Sequence, residues 1–159
     1  MRSKTSYSLR SPNQRIEVLI DVGDRIRYGV QLDGKPLLEN STLSMRIDQV
    51  ALGANVKVRA TRPRRVDQVV EPPVHQKSAT LRERFHELRL DMQGGWAVVF
   101  RAYDEGVAYR IETSLPAPEV KVYAEEVSLN FPGDLGVFFP KEEGFFSHNE
   151  RSYDYVHLK

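Results

Sequence analysis

Hydrophobic and polar residues alternate along most of the chain. Every second residue from Ile16 to Val22 is isoleucine or valine, and an apolar alternation returns from Ile26 to Leu32. A period of two places successive side chains on opposite faces, which is the pattern of a half-buried β-strand. Gly23-Asp24 between the two segments predicts a tight reversal, so these strands should be antiparallel.

The alternation continues in later segments and predicts about ten short strands in all. The further segments are Leu43–Ile47, Val56–Ala60, Leu88–Met92, Trp96–Ala102, Val107–Thr113, Val120–Val122 and Val127–Phe131. Asp33-Gly34, Gly94-Gly95 and Asp104–Gly106 predict hairpin turns between strands. Thr80–His86 could form a turn or two of helix, but it lacks a useful apolar stripe of helical period. Without crossover helices, we predict an all-β antiparallel sandwich or barrel.

Length and charge restrict the class of protein. The chain has 159 residues, 40% of them hydrophobic, so we expect one domain spanning residues 1–159. Its 23 lysines and arginines face 22 aspartates and glutamates. A net charge of +1 argues against a nucleic-acid partner, which usually needs a basic excess. The basic run Arg62–Arg65 has no interleaved aromatics and predicts a solvated loop, and Glu71–Pro73 predicts a loop or sheet edge.

The chain lacks signals for covalent cross-linking or membrane insertion. It has no cysteine, which excludes disulfides and thiolate metal sites. The N-terminal residues carry no apolar core of a signal peptide. The longest purely apolar run, Trp96–Phe100, is far shorter than a membrane-spanning helix, so we predict no membrane span.

Local motifs provide little catalytic chemistry. The four histidines lack the spacing of a metal site, and neither a phosphate-binding loop nor a serine-hydrolase motif is present. Carboxylates do occur side by side, as at Glu125-Glu126 and Glu142-Glu143. Adjacent residues of a strand point to opposite faces, so these pairs should not share a substrate.

The C-terminal segment differs in character from the rest. Six of the fifteen aromatic residues lie between Val137 and Lys159. We expect this apolar surface to be buried against the sandwich or against a partner, because soluble monomers seldom leave a large apolar patch in water. The apolar ending also favours a boundary within a larger polypeptide. Phe145–Tyr153 combines an apolar anchor with residue types that bind sugars or hard cations.

The order of several segments resembles the N-terminal domain of glycoside hydrolase family 97, a family of bacterial α-glucosidases and α-galactosidases. The most distinctive part is the hairpin Val99–Arg110, with its Phe-Arg-x-Tyr-Asp-x-Gly-Val-Ala-Tyr-Arg pattern. The other matching segments are Ser11–Val18, Tyr28–Leu38, Leu52-Gly53, Arg84–Leu88 and Leu129–Asp134. The resemblance covers most of the chain.

This resemblance implies an antiparallel β-supersandwich of the galactose-mutarotase-like type. Family members carry their catalytic carboxylates on a following (β/α) barrel and end in a small β domain. The resemblance therefore implies no catalytic residue in this chain. We expect no glycosidase turnover from the chain alone. Its partners would be the barrel of the same polypeptide and that enzyme's oligosaccharide substrate, with a periplasmic or extracellular location.

The resemblance also implies a metal role for one residue. Family members hold calcium at the active site, with one carboxylate ligand from the N-terminal domain. The matching position is Glu150, and Ca²⁺ readily takes oxygen ligands from separate segments. The bland alternative is a surface glutamate paired with Arg151.

Two other functions compete with this reading. The chain could be a stand-alone carbohydrate-binding sandwich with an aromatic platform. It could also be a mutarotase-like enzyme, which needs a histidine and a glutamate paired in one sheet. The available pairs, His86/Glu87 and His75/Glu71, have the wrong alternation or lie beside prolines, so this class ranks last.

Overall fold

The computed structural model describes residues 4–74, 77–116, 119–142, 144, 146 and 150–158. The described residues form twelve β-strands and no helix, so none of them belongs to a helix able to cross a membrane. The strands are β1 (Thr5–Arg10), β2 (Ile16–Val22), β3 (Ile26–Leu32), β4 (Lys35–Ile47), β5 (Val50–Leu52), β6 (Val58–Val70), β7 (Leu81–Met92), β8 (Trp96–Tyr103), β9 (Val107–Thr113), β10 (Val122–Val127), β11 (Gly136–Phe139) and β12 (Asp154–His157). The predicted all-β class is confirmed.

A first sheet is built from β1 to β5 and β10. Its order is β1-β2-β3-β4-β10, and β5 folds back on β4; every pairing is antiparallel. The predicted turn at Asp33-Gly34 joins β3 to β4 in two residues, with φ values of 51° and 77°. Positive φ at both positions is the geometry of a type I′ hairpin, whose twist matches the flanking strands. This turn therefore fixes the register of β3 on β4.

A second sheet consists of β6, β7, β8 and β9 in sequence order, joined by consecutive hairpins. Gly94 and Gly95, both at positive φ, make the turn from β7 to β8 as predicted. The expectation that Arg62–Arg65 forms a loop is wrong, because these residues lie in β6 and pair with β7. In the described residues β6 pairs with β7 only, and an edge strand tolerates Pro63 because its missing N–H breaks no ladder on the open side.

The two sheets enclose one core. It contains the alternating apolar residues of β2, β3, β7 and β8, among them Val18, Ile20, Leu90 and Val98, none of which has measurable exposure. Strand β1 contacts β7 and β8, and β2 contacts β8, which sets how the sheets face each other. We attribute most of the stability to this burial, because about 25 cal/mol is gained per Å² of apolar surface withdrawn from water.

An aromatic cluster joins the sheets at the centre. The Tyr28 ring of β3 lies 5.9 Å from that of Phe100 on β8 and 5.8 Å from that of Tyr109 on β9. Their planes are tilted by 53° and 57°, which avoids the unfavourable face-to-face stack. Burial also raises the pKa of Tyr28, whose hydroxyl donates to the Ser128 carbonyl oxygen at 3.2 Å.

Some predicted boundaries are wrong. Thr80–His86, which lacks an apolar stripe of helical period, contributes to a strand, because Leu81 to His86 pair with β6. The segment predicted as Val127–Phe131 leaves the sheet after Val127, and Val56 lies outside β6. Strands β1, β5, β11 and β12 were not predicted.

Candidate functional site

The C-terminal segment forms a hairpin that leaves its aromatic side chains exposed. Strands β11 and β12 pair with each other, and the Phe138 and Tyr155 rings lie 5.2 Å apart. Phe138 is 71% and Tyr155 60% exposed, and Phe146 is fully exposed. Of the two predicted anchors, Phe146 is therefore not buried within this chain, and Phe145 lies outside the described residues. The hairpin presents an apolar surface to a partner or to solvent.

Glu150 stands just before β12 with an exposed side chain. The alternative role, a local ion pair with Arg151, is not formed: the Arg151 Nε instead lies 3.1 Å from Oε2 of Glu142. The described part of the chain contains no group of three histidine or carboxylate ligands that could hold a metal ion. Ca²⁺ takes six to eight oxygen ligands, so Glu150 fits a calcium site only as one contributor among several. Ser147, His148 and Asn149 lie outside the described residues.

The adjacent carboxylates of β10 point to opposite faces, as predicted. Glu126 accepts hydrogen bonds from the hydroxyls of Thr42 and Ser44, each at 2.8 Å, and pairs with Arg25 at 3.2 Å. These donors, Ser44 foremost, hold the pKa of Glu126 below its usual range. Glu125 pairs in register with Met45 and so faces the interior side of the sheet. Glu126 clamps β10 to β4, and the two carboxylates cannot act together on one glycosidic bond.

The histidine and glutamate required of a mutarotase-like enzyme are likewise separated. The His86 Nδ1 lies 2.8 Å from the Arg10 carbonyl oxygen, whereas Oε2 of Glu87 accepts a hydrogen bond from Arg101 Nε at 2.7 Å. Neighbouring strand residues face opposite ways, so the pair does not converge on one substrate. His75 of the other candidate pair lies outside the described residues.

An ion-pair network covers the outer face of the second sheet. The Arg89 Nε donates to Oδ1 of Asp91 at 2.7 Å, and the Arg62 Nε lies 2.8 Å from Oδ2 of the same carboxylate. Arg89 also pairs with Glu112, which pairs with Arg110 at 2.6 Å. Hydrogen bonds from Arg89 hold the pKa values of Asp91 and Glu112 below their usual range.

The same face continues with a stacked arginine. The Arg101 guanidinium lies 4.2 Å from the ring centroid of the buried Phe85 and pairs with Glu87. A cation over a ring face is attracted by the ring quadrupole. The charges on this face are therefore largely paired with one another and carry a structural role.

The chain matches the family model described as "Glycosyl-hydrolase 97 N-terminal" over residues 9–159. The chain belongs to glycoside hydrolase family 97. The match lies in the N-terminal region of that family, which confirms the resemblance seen in the sequence.

Known proteins resemble this chain in sequence or in fold. A retaining α-galactosidase of Bacteroides thetaiotaomicron is 30% identical over 141 residues, which cover 88% of this chain and 21% of that protein. A β-arabinopyranosidase crystal structure superposes with a TM-score of 0.81 at 22% identity, over 93% of this chain and 26% of the other. A family 97 enzyme of Pseudoalteromonas sp. strain K8 in complex with acarbose gives a TM-score of 0.79 at 19% identity, over 94% of this chain and 24% of that enzyme.

These relatives are much longer than this GH97 chain, which spans about a fifth of the curated relative and about a quarter of the two solved structures. The sandwich fold is shared with both solved structures. Sequence reasoning missed the β11–β12 hairpin, although its dense aromatic content was visible as a compositional signal.

Proposed function

We propose that this chain is the non-catalytic N-terminal sandwich domain of a family 97 α-glycosidase and packs against the catalytic (β/α) barrel of the same polypeptide. The observation that carries the proposal is the exposed aromatic surface of the β11–β12 hairpin, in a chain that spans only 21% of its curated relative. Burying one large apolar side chain is worth about 1.5 to 3 kcal/mol. A barrel that covers Phe138, Phe139 and Tyr155 would hold the domain firmly.

The substrate class follows from the relative. A retaining α-galactosidase is 30% identical to this chain over 141 residues, so we propose an oligosaccharide with a terminal α-linked hexose as the substrate of the whole enzyme. Such an enzyme would work in the periplasm or outside the cell. The chain by itself should show no turnover of aryl α-galactosides or α-glucosides. Turnover that disappears on a substitution within residues 1–159 would refute the non-catalytic role.

Glu150 is proposed as one calcium ligand of that enzyme. Its carboxylate is exposed, and Arg151 is engaged by Glu142 rather than by Glu150. The remaining oxygen ligands would come from the barrel, and the ion would supply charge stabilisation near the scissile bond. Glu150 itself would orient and neutralise part of that ion.

The test is Glu150→Gln in the polypeptide that joins this domain to its barrel, with Glu105→Gln as the matched control. Glu105 lies exposed in the β8–β9 turn. We expect Glu150→Gln to lower calcium affinity and kcat/KM together, by about 10- to 100-fold as for other disturbed metal sites. The control should change neither. Wild-type calcium affinity and activity in Glu150→Gln would show that Glu150 is not a ligand.

A stand-alone carbohydrate-binding module is the second candidate, favoured by the exposed Phe138 and Tyr155 rings. Calorimetric titration of the chain with galactose, maltose and longer α-glucans separates the two functions. A binding module gives saturable heat that is lost in Tyr155→Ala. A domain whose rings contact the barrel gives none.

A further inference from the structure

Strand β9 is an open edge of the second sheet. It pairs with β8 on one side, and no described strand pairs with the other. Its inward side chains, Val107, Tyr109 and Ile111, pack against the core while remaining partly exposed. An uncovered strand edge with an apolar face is a template for another strand.

The direction of each β9 amide can be read from the hairpin. The Tyr103 amide donates to the Gly106 carbonyl at 2.8 Å, and the Ser114 amide donates to the Gly95 carbonyl at 2.7 Å. In an antiparallel pair, bonded residues alternate with residues whose amides point away. The amides of residues 108, 110 and 112 therefore face β8, whereas those of Val107, Tyr109, Ile111 and Thr113 face the open edge.

The first sheet extends beyond this edge. Strand β10 lies next to β4, and its residues Val122, Glu125 and Val127 share a face with Ile47, Met45 and Leu43 of β4. That face is the core side, where Leu43 and Ile47 are buried at 1% and 3% exposure. Val122 and Val127 nevertheless remain 54% exposed. The core side of β4 is therefore covered, whereas the same side of β10 is largely open.

Tyr28 connects this edge to β10. Its ring lies 5.8 Å from that of Tyr109 on β9, and its hydroxyl donates at 3.2 Å to the carbonyl oxygen of Ser128, the residue that follows β10. The open edge of β9 and the uncovered inner face of β10 therefore border one slot. The slot offers backbone donors and acceptors on one wall and apolar side chains on the other.

We propose that this slot receives a β-strand from another part of the same GH97 polypeptide, which pairs with β9 and completes the sandwich beneath β10. The inference deepens the proposed function, because it assumes that the chain is joined to more of the enzyme. The occupant is argued from length: the solved relatives share this sandwich within chains about four times as long. Intramolecular supply also avoids the entropy cost of recruiting a separate molecule.

The slot specifies the strand that fits it. β9 has seven residues, so the strand needs a similar length and an apolar side chain at every second position. It also needs a basic or hydroxyl-bearing residue near Glu125, because a carboxylate buried without a partner is strongly destabilising. These requirements can be searched for in the continuing reading frame.

Amide hydrogen exchange at residue resolution tests the proposal, with β9 as its own control. In the chain of residues 1–159, the amides of Tyr109 and Ile111 should exchange rapidly, whereas those of Ala108 and Arg110 should be protected. In the longer polypeptide, Tyr109 and Ile111 should slow by about 100-fold or more, because they join a stable ladder. Ala108 and Arg110 should stay protected in both.

Two results would overturn the inference. One is fast exchange of Tyr109 and Ile111 in the longer polypeptide. The other is protection that appears in the 1–159 chain itself and grows with concentration alongside a dimer in sedimentation, since the slot would then bind a second copy. Protection in a longer polypeptide without glycosidase activity would support the strand while refuting the proposed function. Glycosidase activity of the longer polypeptide without protection of Tyr109 and Ile111 would support the proposed function while refuting the added strand.

Discussion

Gly53 provides a sharp test of how the first sheet closes on itself. It follows β5, the short strand that folds back on β4, and its φ is +100°. A Cβ atom at this position would lie 2.8 Å from the Leu43 carbonyl oxygen and 3.0 Å from Ser44 Cα. Both neighbours belong to the backbone of β4, so a larger side chain cannot be accommodated by a rotamer change. We therefore expect Gly53→Ala to be strongly destabilising.

The expected loss in free energy of unfolding on Gly53→Ala has two contributions. An L-residue held in the left-handed region costs about 1 to 2 kcal/mol. Overpacking against fixed backbone adds about 1 to 3 kcal/mol. Together Gly53→Ala should lower the free energy of unfolding by about 2 to 5 kcal/mol and Tm by roughly 2 to 4 °C for each kcal/mol.

Two other glycines separate the parts. Gly34 also has positive φ, at +77°, but no atom lies within 4 Å of its added Cβ, whereas Gly106 has neither constraint. Gly34→Ala should lose only the about 1 to 2 kcal/mol that the left-handed conformation costs. The free energy of unfolding of Gly106→Ala should stay within about 0.5 kcal/mol of wild type. Urea unfolding followed by the fluorescence of Trp96, which is 7% exposed, measures all three.

The relative losses in free energy of unfolding of the three variants test both contributions. Equal losses for Gly53→Ala and Gly34→Ala would show that β4 moves aside and that the close contact carries no energy. Equal free energies of unfolding for Gly34→Ala and Gly106→Ala would show that the left-handed conformation is not costly in the Asp33-Gly34 turn.

Two further predictions concern packing and pH. Phe100→Ala should lower the free energy of unfolding by about 3 to 5 kcal/mol because the ring is fully buried, whereas Phe138→Ala at an exposed position should cost under about 1 kcal/mol in the same urea assay; similar losses would contradict the assigned core. The Arg89 hydrogen bond lowers the folded-state pKa of Asp91, so its stabilisation is complete above the unfolded-state value of about 4 and is lost as the pH falls through the folded-state value. The urea midpoint of wild type should therefore fall more steeply below about pH 4 than that of Asp91→Asn, and parallel curves for the two proteins would contradict the assigned ion pair.

The local elements of the fold could be predicted wherever one face of a strand is buried. β2 and β3 were predicted with their structural bounds, because burial on one face imposes a strict period of two. Asp33-Gly34 was predictable because few residue pairs adopt positive φ twice in succession. The sequence does not predict β1, because only Tyr7 and Leu9 of its six residues are apolar.

Long-range features could not be predicted from the pattern. Nothing local shows that β10 pairs with β4, since the register depends on residues about eighty positions apart in the chain. Arg62–Arg65 suggested a loop because arginine and proline are common there, yet the same residues protect an exposed strand edge from pairing with other chains. Glu150 was selected by family resemblance, and a metal site assembled from separate segments has no signature in one of them.

The placement of β10 has a consequence for how the chain folds. β1 to β4 form successive hairpins, as do β6 to β9, so most pairing in both sheets joins neighbours in sequence. Among the strands that the structure describes, β10 alone returns across the entire second sheet to reach β4. Closing such a loop costs entropy before any contact compensates for it, and non-local pairing slows folding. We therefore expect the two meanders to form early and β10 to dock late, so that mutations at Glu126 speed unfolding while leaving the folding rate nearly unchanged.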